Sequence, residues 1–248
     1  MARLAIVGGT GLSQYPELQR VDNAALDTPY GAPSAAALIG RLGGHEVVFL
    51  PRHGEGHTLP PHRINYRANL WCLQQLGVKK ILAVNAVGGI HPAMGPGHLC
   101  IPDQIIDYTY GREHTFADGT AKTVQHIDFS YPYDPVARQI LIRQLTALQM
   151  PYSDFGVYGC TQGPRLESAA EIRRLAADGC DLVGMTGMPE AALARELEID
   201  YVSICMVVNW AAGIEAAPID MADLMRTLEN CTREVKRLIA AVAGALIV

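Results

Sequence analysis

The apolar run Ile204-Cys205-Met206-Val207-Val208 reads as a buried strand and ends on an amide, Asn209, followed by Trp210 and Ala211. Open α/β sheets bind ligands beyond the C-terminal ends of their parallel strands. An Asn at such an end sets a carbonyl acceptor beside an NH2 donor, the pairing that reads the edge of a heterocycle. Capping the next turn is the commoner role of Asn after a strand, so a ligand-reading role rests on what other segments bring to the same place.

Three further strand ends carry groups suited to an oxyanion. Gly8-Gly9-Thr10-Gly11 follows the first strand, where backbone N–H groups and the Thr10 hydroxyl can close on an anion. It lacks both the GxGxxG spacing and a following GK[ST], so neither a dinucleotide site nor a nucleotide-triphosphate loop is implied, and a plain tight turn is the competing reading. Arg52 and His53 follow a second strand in Pro51-Arg52-His53-Gly54, the guanidinium being suited to bidentate oxyanion binding. Asn85-Ala86-Val87-Gly88-Gly89 follows a third, bringing an amide side chain beside glycine-rich backbone. Their convergence on one sheet edge implies a phosphate or sulfate pocket.

Two more segments end on groups of interest. Glu167, in Gly163-Pro164-Arg165-Leu166-Glu167-Ser168, stands at a helix start, where a carboxylate more often matches the helix dipole than touches a ligand. Met185 and Thr186 close another short strand before Pro189 and Glu190 open a helix.

The elements that must position these groups alternate along the chain. Strands are expected at Leu4 to Val7, Val47 to Leu50, Lys80 to Val84, Gln104 to Tyr108, Gly156 to Cys160, Asp181 to Val183 and Tyr201 to Val208. Helical spacing runs through Arg67 to Leu76, Pro135 to Leu148, Ser168 to Ala177, Pro189 to Leu197 and Asp220 to Ile247. This is an α/β pattern with a central mixed sheet flanked by helices, and one domain over residues 1–248 is expected. With 49% hydrophobic residues and no linker or low-complexity tract, a single sizeable core is feasible. A net charge of -5 with scattered basic residues argues against a nucleic-acid footprint, and no apolar stretch is long enough to span a membrane. Six widely spaced cysteines suit reduced thiols in a cytoplasmic protein, and neither they nor the eight histidines show metal-ligand spacing, so no metal is expected.

Taken in order, Val7-Gly8-Gly9-Thr10-Gly11-Leu12, Thr28-Pro29-Tyr30-Gly31, Arg52-His53-Gly54 with His57, Asn65-Tyr66-Arg67-Ala68-Asn69, Asn85 to Gly89, Gly163-Pro164-Arg165, and Met185-Thr186 with Pro189-Glu190 resemble the trimeric purine nucleoside phosphorylase family, nearest its 5′-methylthioadenosine phosphorylase branch. The resemblance implies phosphorolysis of an N-glycosidic bond, with phosphate as co-substrate and no metal or organic cofactor. Phosphate would lie among Thr10, Arg52, His53, Asn85, Ala86 and Thr186. Met185 would meet the ribose, Glu167 and Asn209 would face the purine, and the catalytic set would be Asn209, Glu167 and His53. A homotrimer is implied, with the irregular stretch from Arg112 to Tyr133, including His126, completing a neighbour's site.

Two departures bear on the substrate. The methylthioadenosine branch resembles this chain but carries Asp at the positions of Asn209 and Ala211, a pair suited to a 6-amino purine; Asn209 with Glu167 suits a 6-oxopurine instead. Met221, Leu224 and Met225 open the last helix where that branch has its apolar 5′-pocket, with no His for a 5′-hydroxyl. Together with Leu228 they also form a stripe at i, i+3, i+4 and i+7 that suits a core. The combination implies S-methyl-5′-thioinosine as substrate, with inosine or guanosine and methylthioadenosine as the alternatives.

Overall fold

The computed structural model describes residues 3–9, 12, 18–119 and 124–247. Thr10 and Gly11 of the first glycine turn lie outside the described residues. Strands run β1 (Arg3–Gly8), β2 (Gln19–Ala24), β3 (Ala37–Leu42), β4 (His45–Pro51), β5 (Val78–Gly89), β6 (Leu99–Cys100), β7 (Gln104–Asp107), β8 (Tyr152–Ser153), β9 (Val157–Cys160), β10 (Leu182–Gly184) and β11 (Asp200–Trp210). Helices are α1 (Tyr66–Gln75), α2 (Pro135–Ala147), α3 (Ala169–Ala177), α4 (Glu190–Glu196) and α5 (Met221–Leu246).

All the strands join one mixed sheet in the order β2-β3-β4-β1-β5-β10-β9-β7, with β11 on β5 and the short β6 and β8 beyond it. The parallel set β4, β1, β5 and β11 forms its centre. These strands are apolar on both faces because both are covered. Leu4 and Ile6 of β1 pack with α2 and α5, whereas Ala5 and Val7 face α1 and α4.

Local sequence fixes the helix starts. Asn65 and Asp134 accept from the third backbone N–H of α1 and α2, Ser168 and Glu171 form a capping box on α3, and Asp220 accepts from Ala222 and Asp223 at the head of α5.

Two irregularities aim the site. β5 continues through Asn85 to Gly89 rather than turning after Val84, so the amide expected on a turn sits within a strand. Beyond Ala86 it stays paired to β11 and adds an antiparallel contact to β10. On β11 the register slips at Val208, which has no partner on β5, and this bulge re-aims Asn209 toward the sheet's C-terminal edge.

Gly89 marks the crossing. A Cβ there would lie 1.9 Å from the backbone oxygen of Met94 and 3.1 Å from Val207. Gly89→Ala is therefore expected to lower stability by about 2 kcal/mol or more, because rigid backbone and a core strand must both shift; thermal unfolding checks this, and an unchanged Tm would show that the crossing yields freely.

Candidate active site

The C-terminal ends of β1, β4, β5, β10 and β11 open into one cleft of about 510 Å³. Its walls carry Gly9, Arg52, His53, Asn85, Ala86, Glu167, Met185, Thr186, Asn209, Met221 and Leu224. Every site residue expected from sequence is thus brought together except two. Thr10 lies outside the described residues, although its neighbours Gly9 and Leu12 line the cleft. Met225 does not line it and is 58% exposed. At 3.6 residues per turn Leu224 and Leu228 lie about 60° and 20° to one side of Met221, while Met225 lies about 40° to the other, so only the first three share the cleft-facing side. Lower down, Cys231, Val235 and Leu238 carry the same side of α5 into the core.

Arg52 departs from the sequence reading in a way that matters. Its side chain is fully buried and its bidentate face meets Glu190, with Nε to Oε2 at 2.6 Å and Nη2 to Oε1 at 2.7 Å. Nη2 also donates to the Val7 carbonyl at 3.4 Å and Nη1 to that of Val84 at 3.2 Å. Of five N–H donors, one on Nη1 is left for the cleft. Burial opposes the charge, but Glu190 outweighs it, so the guanidinium stays protonated. The pair carries no net charge, so the described residues here offer the cleft one guanidinium N–H rather than a free cation.

His53 is also tuned. Nδ1 lies 2.9 Å from the Leu59 carbonyl, which only a donor can face, so the neutral ring presents an Nε2 lone pair. Desolvation, then Arg52 and the stacked His57 ring 4.2 Å away, outweigh the Leu59 bond and push the pKa down from 6.5 to about 4.

Asn85 sits inside a polar chain. Its Nδ2 donates to Ser203 at 2.7 Å, and its Oδ1 accepts from the Thr186 hydroxyl at 2.8 Å. Each group of the amide has one internal partner, and through Oδ1 Asn85 fixes the Thr186 hydroxyl. At the other wall, Glu167 Oε1 accepts from the Thr161 hydroxyl at 2.6 Å, and Asn209 Nδ2 donates to its neighbour's carbonyl, Trp210 O, at 2.7 Å. Each then keeps one oxygen for a ligand, and Asn209 one N–H besides. Glu167 precedes the α3 cap rather than serving it; Glu171 does that work.

Sequence reasoning missed Glu190 and Arg112. Glu190, the first residue of α4, reads as a dipole-matching carboxylate, and its partner lies 138 positions away. Arg112 fell in a stretch expected to be irregular and turned toward a neighbour. It is instead buried in its own chain, and Phe116, Phe129 and Tyr133 of the same stretch pack on the core beside α1 and α4. The six cysteines are free and buried, and among the described residues no helix is long and apolar enough to cross a membrane.

The phosphorylase superfamily profile matches residues 3–244. A probable S-methyl-5′-thioinosine phosphorylase of Pseudomonas syringae pv. tomato is 56% identical over 245 residues, 99% of this chain and all of that one. A 6-oxopurine nucleoside phosphorylase of Pyrococcus furiosus is 45% identical, covering 97% and 92% of the two chains. The methylthioadenosine phosphorylase of Schistosoma mansoni in complex with adenine superposes with a TM-score of 0.90 at 31% identity, covering 99% and 93%.

Two outcomes follow from the buried groups. Between pH 6.5 and about 4 the unfolded chain takes a proton that folded His53 refuses, so stability falls as pH drops through that window, by an amount on the order of 2–3 kcal/mol. Thermal unfolding across the window should be steeper for the wild type than for His53→Asn, and equal slopes would place the titration elsewhere. Arg52→Ala strands the Glu190 carboxylate and should cost about 3–5 kcal/mol, whereas the paired change Arg52→Met with Glu190→Met should regain most of it. A double variant no more stable than Arg52→Ala would contradict this origin.

Proposed function

Since this chain belongs to the phosphorylase superfamily, we propose that it uses phosphate to cleave the N-glycosidic bond of S-methyl-5′-thioinosine, giving hypoxanthine and 5-methylthioribose 1-phosphate. The observation that carries this reading is that Glu167 and Asn209 share a cleft with the Arg52–His53–Thr186 corner at one end and the apolar first turn of α5 at the other.

Phosphate lies against Gly9, Ala86, Thr186 and the remaining Arg52 N–H, with the His53 lone pair accepting from a protonated phosphate oxygen. Met185 packs on the ribose side. As phosphate closes on C1′ and the bond to N9 opens, positive charge grows on the sugar and electrons pass to the purine. As the electron pair reaches the ring, N7 takes a proton from solvent water; Asn209 Oδ1 accepts from the resulting N7–H while its free N–H meets O6, and Glu167 accepts from N1–H. An adenine ring would turn an amine toward the Asn209 donor and an unprotonated N1 toward a carboxylate, leaving both unpaired. Ala211, which packs with Ile90, Ile172 and Val183, leaves no second carboxylate to receive that amine. Relatives named for thioinosine and for 6-oxopurine nucleosides support the same base.

The sugar's 5′-substituent meets Met221, Leu224 and Leu228, which offer a hydroxyl no partner. A general 6-oxopurine phosphorylase is the second reading, because Met221 is 58% exposed and the 5′-end of the cleft is open on that side. Direct displacement asks for neither electron transfer nor a Lewis acid, so we assign no cofactor or metal. We also assign a homotrimer, consistent with exposed Tyr110, Val124 and Tyr131, and a cytoplasmic location, consistent with six free thiols; His126 of a neighbour would complete the site.

A panel of nucleosides with and without phosphate tests the proposal. Base release should require phosphate. Burying a methylthio group contributes roughly 1–2 kcal/mol and an unpaired hydroxyl costs a similar amount, so methylthioinosine should exceed inosine by about tenfold or more in kcat/KM. Parity between the two would favour the general phosphorylase. Asn209→Asp should cut 6-oxo turnover by a factor on the order of 100, since a carboxylate then faces O6; wild-type preference for the adenine nucleoside would overturn the base assignment.

A further inference from the structure

Arg112 is buried and lies between the two loops that carry opposite walls of the cleft. Its Nη1 donates to the carbonyls of Met185 at 2.9 Å and Met188 at 2.6 Å, and the Tyr66 hydroxyl 3.2 Å away shares one of those two N–H groups. Its Nη2 donates to the carbonyls of Thr161 at 3.2 Å and Gln162 at 2.8 Å, and Nε donates to Gln162 Oε1 at 3.1 Å. All six acceptors are neutral oxygens. Besides these oxygens the guanidinium has only the face of the Tyr66 ring, 5.5 Å to the centroid; burying a cation without a carboxylate partner costs desolvation that an apolar side chain filling the same space would not incur. What an arginine does here, and an apolar residue does not, is present five N–H groups in one plane to two separate loops.

Those loops hold the groups that select and orient substrate. One runs from Thr161, whose hydroxyl fixes Glu167, to Glu167 itself. The other carries Met185 and Thr186. They touch directly: a Cβ on Gly163, which has φ +62, would lie 2.4 Å from Met185 Sδ. The distance from the purine-facing carboxylate to the ribose and anion residues is therefore set where Arg112 bridges the backbone of both.

We propose that Arg112 is a positioning residue that locks the Thr161–Glu167 loop to the Met185–Thr186 loop, and that the preference for a 6-oxopurine depends on this lock. The inference rests on the function proposed above. A lysine in its place keeps the charge but offers three donors from one point, too few and too close together to span both loops.

The test compares kcat/KM for S-methyl-5′-thioinosine with that for methylthioadenosine in the wild type, Arg112→Lys and Gln162→Leu. The second variant removes the Nε partner, leaves the guanidinium in place and keeps the question answerable if Arg112→Lys fails to fold. A wild-type preference for the 6-oxo nucleoside upholds the underlying reading; a preference for the adenine nucleoside overturns that reading and the lock with it. Given the wild-type preference, the ratio should fall about tenfold in Arg112→Lys and about threefold in Gln162→Leu, more than the KM for phosphate changes. Variants that lose activity on both nucleosides equally, with the ratio kept, would assign Arg112 to stability alone and overturn the inference while leaving the proposed function standing.

Discussion

One buried ion pair holds the centre of this molecule together. Arg52 leaves the end of β4 and reaches the carbonyls of Val7 on β1 and Val84 on β5, while its fork grips Glu190 at the start of α4. Glu190 in turn accepts from the Tyr201 hydroxyl on β11 at 2.9 Å. Four parallel strands and a helix are thereby referenced to a single guanidinium. Such a pair adds little stability over apolar residues of equal volume, since both charges are desolvated. Its value lies in geometry: the strand ends that bear Gly9, His53, Ala86 and Asn209 are set relative to one another.

The pair also shapes the electrostatics of the reaction. Arg52 and Glu190 cancel, and His53 is neutral above about pH 4, so under the proposed function phosphate would meet, among the described residues, a corner made of dipoles and a single guanidinium N–H. An anion held this way would keep its negative charge available for a carbon that becomes cationic, whereas a free cation cluster would neutralise the nucleophile. At the far wall the same economy holds, with Glu167 and Asn209 each tied by one internal bond and each presenting one remaining oxygen.

How much of this was legible in the sequence depends on the distance over which each signal acts. Strand and helix periodicity is local, and the seven expected strands and five expected helices all have counterparts in the structure. The antiparallel β2 and β3 escaped notice; β2, Gln19–Ala24, is polar and exposed and so carries no apolar alternation. A hairpin signal was present nonetheless, in Gly43 and Gly44, whose φ values of +57 and +83 fit a two-residue primed turn between β3 and β4. Gly88 and Gly89 read as a turn but serve close packing inside β5. Some motif residues were recognisable although their role was not. Asn69, for example, ties Ser34 to α1 through its Oδ1 at 2.7 Å and does not reach the cleft. The partners of Arg52 and Arg112 are tertiary, so nothing in the neighbouring sequence announces them.

Everything in the proposed chemistry turns on whether phosphate itself attacks the anomeric carbon in the cleft at the ends of β1, β4 and β5. Incubating the protein with S-methyl-5′-thioinosine and phosphate labelled with 18O at all four oxygens, then reading the phosphorus NMR shifts of the product, tests it directly. Direct attack requires a sugar 1-phosphate that retains all four labels, the bridging oxygen included. Release of hypoxanthine with free 5-methylthioribose and no labelled ester would contradict it.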